Sequence, residues 1–318
     1  MWQEGKIYHD AELPHWQGSE EPVGIIGYGS QGSAQALNLR DGMIEVLVGL
    51  RSGSPHAADA RHERLPVITP MEAAETCRTV VLLVPDSSLR EVYDEIKTGL
   101  TPGKLLVLGG GYGYRFGGIE VPEDVAAVMV APNGPGQKVR EEFVAGRGVA
   151  AKVGVQHDAG GWALDNALSY ARMIGAGREN AGVRIVSPGL EAELDLFSEQ
   201  AVLAGGVPLL AARAAQFLIA QGVPEDLAVL ECVREIKLIA DLLEQYGVKE
   251  MYRRISLTAA YGGLTQGGKV LADDLEGRLR QMCEEIQSGE FDRRYREWSA
   301  DPNARQKLLD DILGEGEI

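Results

Sequence analysis

Two acid pairs are the residues best placed to do chemistry. Asp195 and Glu199, in Asp195-Leu-Phe-Ser-Glu199-Gln200, and Glu231 and Glu235, in Glu231-Cys-Val-Arg-Glu235, are each four residues apart, which puts each pair on one helical face. A rotation of about 100° per residue sets Glu231 and Glu235 on a stripe with Leu227, Leu238 and Leu242, so these acids are expected to face an interior. Carboxylates side by side out of water are costly unless a cation compensates them. Oxygen ligands without His or Cys suit Mg²⁺ better than zinc. Either pair alone also describes a solvated helix face; two pairs on apolar stripes favour the metal.

A second chemical signal is Gly27-Tyr28-Gly29-Ser30-Gln31-Gly32, between the apolar run Val23–Ile26 and a helical pattern from Ser33 to Leu39. Strand, glycine loop and helix in this order are what a dinucleotide fold requires. Gly27 would make the tight turn, Gly29 would admit the pyrophosphate, and Gly32 would let helix pack on strand, with the helix N-terminus facing the anion. NAD-specific folds usually place an acid about 20 residues further on. This chain reads Gly49-Leu-Arg51-Ser52-Gly-Ser54-Pro-His56 instead, so Arg51, Ser52 and Ser54 are expected to hold a 2′-phosphate and NADPH is the expected cofactor. His56 could add charge there.

The elements that must position these groups fall into two regions. Between residues 23 and 155, β-rich runs (Val23–Ile26, Ile44–Val48, Thr79–Val84, Lys104–Leu108, Val125–Val130) alternate with helical patterns, which implies an α/β Rossmann domain with a parallel sheet. Helical spacing then dominates over 161–173, 191–204, 208–221, 225–246 and 272–288, so an all-α domain follows. The expected division is 1–183 and 184–318, and 318 residues are ample for two cores. A net charge of −16 argues against nucleic acid and anionic membranes as partners. Three cysteines without metal or disulfide spacing, no run approaching about 18 apolar residues, and no leader in Met1–Lys6 point to the cytoplasm. Gly314–Ile318 reads as a frayed tail.

At nearly full length the chain resembles the class I ketol-acid reductoisomerases. The motifs are Ile26–Gly32, Val48–Ser54, Leu83-Val-Pro85-Asp86, Ala131-Pro-Asn-Gly-Pro-Gly136, Asp195–Gln200, Glu231–Leu238 and Ile255–Gly262. The resemblance implies a Rossmann domain followed by a knotted all-α domain, in a homodimer whose active sites are shared between subunits. It implies Mg²⁺ on Asp195, Glu199, Glu231 and Glu235, Ser256 against the substrate, and cofactor contacts reaching Pro85 and Asp86. The substrate would be a small acetohydroxy or 2-keto acid, isomerised by alkyl migration and reduced by NADPH.

Two positions depart from that pattern. Gly110, in Gly109-Gly-Gly-Tyr-Gly113, replaces the family's histidine, and Asn133 replaces a lysine, so an ammonium that could orient substrate or relay a proton is here a neutral amide. The glycine run is flexible and leaves a larger space. His157 is a candidate replacement base. Three readings follow: a reductoisomerase, a reductase of 2-keto acids or imines that has lost the isomerase step, and a catalytically silent nucleotide-binding partner.

Overall fold

A computed structural model describes residues 6–16, 21–271 and 273–314. Met1–Gly5 and most of the expected tail lie outside the described residues. The chain forms two units that divide between Ala192 and Glu193, later than the expected boundary at 183. The shift has a structural reason, because the chain adds one more strand to the first unit's sheet at Val183–Ile185.

Among the described residues, the first unit is built on nine strands: β1 (Ile7–Tyr8), β2 (Val23–Ile26), β3 (Val46–Gly49), β4 (Val67–Ile68), β5 (Thr79–Leu82), β6 (Leu105–Leu108), β7 (Ala126–Pro132), β8 (Ala151–His157) and β9 (Val183–Ile185), in spatial order β1-β9-β8-β7-β6-β5-β2-β3-β4. Strands β2, β5 and β6 are buried along their whole length, as in a sheet covered on both faces. Alternate residues go to opposite layers: Val81, Leu105 and Val107 join one core cluster, and Val80, Leu82, Leu106 and Leu108 the other. From β4 to β7 the sheet is parallel, as expected, but β8 runs antiparallel to β7, and β1 antiparallel to β9. The register Ala127↔His157 and Ala131↔Lys152 therefore sends the two ends of β8 to opposite edges of the sheet.

The second unit is helical, with helices at Gly206–Ala220, Glu225–Val229, Ile236–Arg254 (broken at Gly247), Leu257–Gln266, Leu275–Gln287, Glu290–Ser299 and Ala304–Leu313. The helices expected over 191–204 and 225–246 are each interrupted by wider π-helical winding, at Glu199–Leu203 and at Leu230–Arg234. Both π turns pack against the helix Gly206–Ala220. Buried side chains here are mostly small, such as Ala211, Ala215, Ala228 and Ala260, while Phe217, Leu238, Leu257 and Leu264 are exposed. Pro188–Ala220 also contains a stretch long and apolar enough to cross a membrane by length and composition, with mean hydropathy 1.6. That corrects the expectation that no such run exists. The path is not one regular helix, being interrupted by the π winding and by a turn at Ala204 and Gly205.

Lys104 shows how the sheet holds its helices. It is buried just before β6, and its ammonium donates to the carbonyls of Ala74, of Glu75 (2.7 Å) and of Cys77 (3.0 Å) at the end of the helix Pro70–Thr76. These carbonyls have no partner within the helix, so the cation caps its negative end. Burial pulls the Lys104 pKa below its ordinary value. Lys104→Met leaves the carbonyls unpaired and is expected to lower unfolding stability by about 1–3 kcal/mol, measured by urea denaturation.

Candidate active site

A cleft of about 570 Å³ opens at the carboxyl ends of β2 and β3, lined by Gly27, Gly29, Arg51, Ser52, Ser54, His56, Pro85 and Ser88 among others. That edge is where open α/β sheets bind ligands. Each glycine of the loop has its own reason. Gly27 has φ +99°, and a β-carbon there would lie 2.3 Å from the Leu83 carbonyl oxygen. At Gly32 a β-carbon would lie 2.2 Å from the Gly27 oxygen, so loop and helix touch backbone to backbone. Gly29 has nothing within 4 Å of that position, which leaves its outer side open to an approaching group. The helix Ser30–Asp41 starts there with no side-chain cap and no acid in its first turn, so its free N–H groups form an anion site.

The remaining expected cofactor residues sit as follows. Arg51 is largely exposed and 3.5 Å from the Glu91 carboxylate, an exposed pair that holds it only weakly. Ser52, Ser54 and His56 share its wall of the cleft, as does Pro85, and Asp86 opens the helix Asp86–Ile96. Tyr28 contributes backbone only, because its ring is packed in the core, and burial raises its phenol pKa. The Gln31 side chain turns away from the cleft. Its amide donates to the Gly134 carbonyl (2.8 Å), it accepts from Gln35 (3.0 Å), and the Tyr170 hydroxyl donates to Gln35 (2.8 Å). This buried chain of hydrogen bonds ties the turn after β7 to the glycine loop.

One departure from the family pattern, Gly110, meets a feature that sequence reading missed. Glu191, 3 % exposed, accepts from the Gly111 N–H (2.7 Å) through Oε2 and pairs with the Lys152 ammonium (2.8 Å) through Oε1. A β-carbon at Gly110 would stand 3.9 Å from the same Oε2, and one at Gly111 would lie 1.9 Å from the Pro188 oxygen. The carboxylate thus faces the space that a side chain at 110 would fill. The available signal was Lys152 itself, a cation between the buried residues Ala151 and Val153 of a strand. His157 is not a replacement base. It ends β8 opposite Ala127, with its Nε2 2.7 Å from the Glu123 carbonyl, at the edge of the sheet away from the cleft.

In the second unit the expectation of interior acids fails: Asp195, Glu199, Glu231 and Glu235 are exposed in the single chain. Their stripe is exposed with them, Leu227 at 48 % and Leu238 at 60 %, because no described element covers it. The π winding contributes, since Glu199 opens one such turn and Glu231 lies in the other, and the wider turn changes the angular offset that the four-residue spacing assumes. Among the described residues no group of three or more His, Cys, Asp or Glu is gathered to hold a metal. The donor chemistry of the four carboxylates suits Mg²⁺, but one chain does not assemble them. Ser256 caps the helix Leu257–Gln266, accepting from the Ala259 N–H (3.1 Å); its own hydroxyl proton remains available to a ligand.

Comparison with known proteins accounts for both units. Residues 19–180 match the family model described as acetohydroxy acid isomeroreductase, NADPH-binding domain, and residues 190–315 match ketol-acid reductoisomerase, C-terminal domain. Proteins named ketol-acid reductoisomerase (NADP(+)) from Clavibacter sepedonicus and from Clavibacter michiganensis subsp. michiganensis are each 44% identical over 287 residues, covering 90% of this chain and 83% of theirs. The solved structure of an NADH-preferring ketol-acid reductoisomerase from an uncultured archean superposes with TM-score 0.92 at 31% identity, over 98% of this chain and 95% of that one. A pyrroline carboxylate reductase from Plasmodium falciparum, at 16% identity and TM-score 0.53, shares the fold alone.

The contrast between Gly29 and Gly32 can be tested. Gly29→Ala is expected to leave the melting temperature unchanged and weaken NADPH binding at least about tenfold, by blocking the pyrophosphate's approach. Gly32→Ala should lower both, since its β-carbon collides with backbone. Calorimetric melting and NADPH fluorescence titration measure the two effects.

Proposed function

The chain belongs to the ketol-acid reductoisomerase family, and on that premise we propose that it converts an acetolactate-like 2-hydroxy-2-alkyl-3-keto acid to a 2,3-dihydroxy acid with NADPH and Mg²⁺. The observation that carries the reading is the 44% identity over nine-tenths of the chain, and the sequence also carries the glycine loop, the four acids and Ser256. In this reaction an alkyl group moves with its bonding pair from C2 to C3, and the C2 hydroxyl proton ends on the C3 oxygen. A hydride from NADPH and a proton from water then reduce the new C2 ketone.

On this reading the residues divide the work. The N–H groups opening the helix at Ser30 hold the pyrophosphate, Gly29 lets it approach, and Arg51, Ser52 and Ser54 meet the 2′-phosphate. Asp195, Glu199, Glu231 and Glu235 would hold the metal, which when bound supplies Lewis-acid polarisation of the substrate oxygens. Ser256 offers its hydroxyl proton to the substrate. Since one chain leaves the acids exposed and displays Phe217, Leu238, Leu257 and Leu264 to solvent, a homodimer that covers this surface and completes the site from two copies fits the same reading. The unpaired cysteines agree with a cytoplasmic setting.

Gly110 and Asn133 favour one alternative, in which alkyl migration is lost and only the 2-keto reduction remains. A substrate comparison separates the two. The expected result is metal-dependent loss of NADPH absorbance with 2-acetolactate, abolished by EDTA. Reduction of 3-hydroxy-3-methyl-2-oxobutanoate with no turnover of 2-acetolactate would leave a reductase alone, and inertness with both would reject the reading. Cofactor choice has its own check: Arg51→Glu should raise the KM for NADPH by about tenfold or more and leave that for NADH nearly unchanged.

A further inference from the structure

We infer that Lys152 supplies, from β8, the substrate-facing cation that the chain lacks at Asn133, with Glu191 holding it in place. The inference rests on the reductoisomerase reading and names a residue for its least complete part.

Geometry carries the argument. Lys152 is the register partner of Ala131, and the ladder continues past β7, since the Asn133 N–H donates to the Ala150 carbonyl (2.8 Å). Cross-strand partners share a face, and so does every second residue along a strand. Asn133 is thus a diagonal neighbour of Lys152 on one side of the sheet, at a backbone separation of about 7–8 Å. A lysine stem spans that gap, so an ammonium from 152 reaches the region an ammonium from 133 would occupy. Its partner fixes the direction. Glu191, held by the Gly111 N–H, faces Gly110 and draws the Lys152 ammonium to that side of the sheet.

The chemistry fits a substrate role. The Lys152 side chain is 16 % exposed and that of Glu191 4 %, so the pair lies at the boundary of the buried layer. The ammonium is a multi-donor cation, and Glu191 Oε1 pairs with it at 2.8 Å. The substrate is a carboxylate whose neighbouring oxygens exchange a proton as the alkyl group moves, and a fixed ammonium stabilises negative charge on either. Leaving Glu191 without a cation would strand a buried carboxylate, so the lysine's position also maintains the site at rest.

The test uses the full-length protein with Mg²⁺ and NADPH. Lys152→Gln keeps a hydrogen-bond donor for Glu191 and removes the charge; a second variant adds Asn133→Lys to it, returning an ammonium from the neighbouring strand. With 2-acetolactate, or with 3-hydroxy-3-methyl-2-oxobutanoate if only that is turned over, Lys152→Gln is expected to lower kcat/KM about 100-fold. Its NADPH dissociation constant should stay at the wild-type value, and the double variant should recover at least about tenfold of the loss. A loss under about threefold, or one that Asn133→Lys does not restore, overturns the role of Lys152 while an active wild type upholds the reductoisomerase reading. A wild type inert with both substrates overturns both. Should Lys152→Gln fail to fold, the double variant decides alone, and its inactivity when folded counts against the proposal.

Discussion

The helix that begins at Pro188 starts under a constraint that governs the loop after β6 in the first unit. Its first carbonyl lies where a side chain at Gly111 would have to go, and one turn later Glu191 takes the Gly111 N–H and the Lys152 ammonium. Backbone contact, a buried hydrogen bond and an ion pair thus fix one helix start to the loop after β6 and to β8. The three act on one short stretch, so removing any of them leaves a buried polar or crowded group whose partner was supplied by another element. The glycine run at 109–113, which in sequence suggests looseness, is a docking surface at Gly111 and open only at Gly110.

Much of this arrangement was legible in the residues. Strands buried on both faces announce themselves as apolar runs of four, and the glycine loop could be assigned position by position because each glycine answers a different steric demand. What stayed hidden depends on long-range pairing. Nothing local in Ala151–His157 says that the strand runs antiparallel to its neighbour, and that orientation decides which of its polar residues lies at the same edge of the sheet as the cleft. With the direction known, Lys152 lies at the cleft edge and His157 at the far one; without it, the histidine is the more attractive base.

The acids were misread for a different physical reason. Helical periodicity reveals that a stripe exists, not what covers it. Glu231, Glu235, Leu227 and Leu238 share a stripe by spacing, but in a single chain they face solvent, so the cost of burying like charges is not incurred there. That cost arises only when another surface closes over them, and the closure would be driven by the apolar side chains exposed alongside. Metal, acids and apolar surface are then coupled, because covering the leucines desolvates the carboxylates and desolvated carboxylates need the cation. π winding at both acid segments adds a local irregularity that no four-residue rule predicts.

A chain with net charge −16 must also bind an anionic dinucleotide, and the cleft shows how. Its lining contains no Asp or Glu, and the first turn of the helix at Ser30 carries none. Charges further off than about 8 Å are screened at physiological salt, so the local balance decides: exposed helix N–H groups at one end, Arg51 with two serines at the other, apolar walls between. Arg51 itself is paired with an acid, Glu91, at 3.5 Å. A 2′-phosphate offers a guanidinium more charge and a better fork of oxygens than a carboxylate does, so on the proposed reading cofactor binding would replace a weak surface pair with a stronger one.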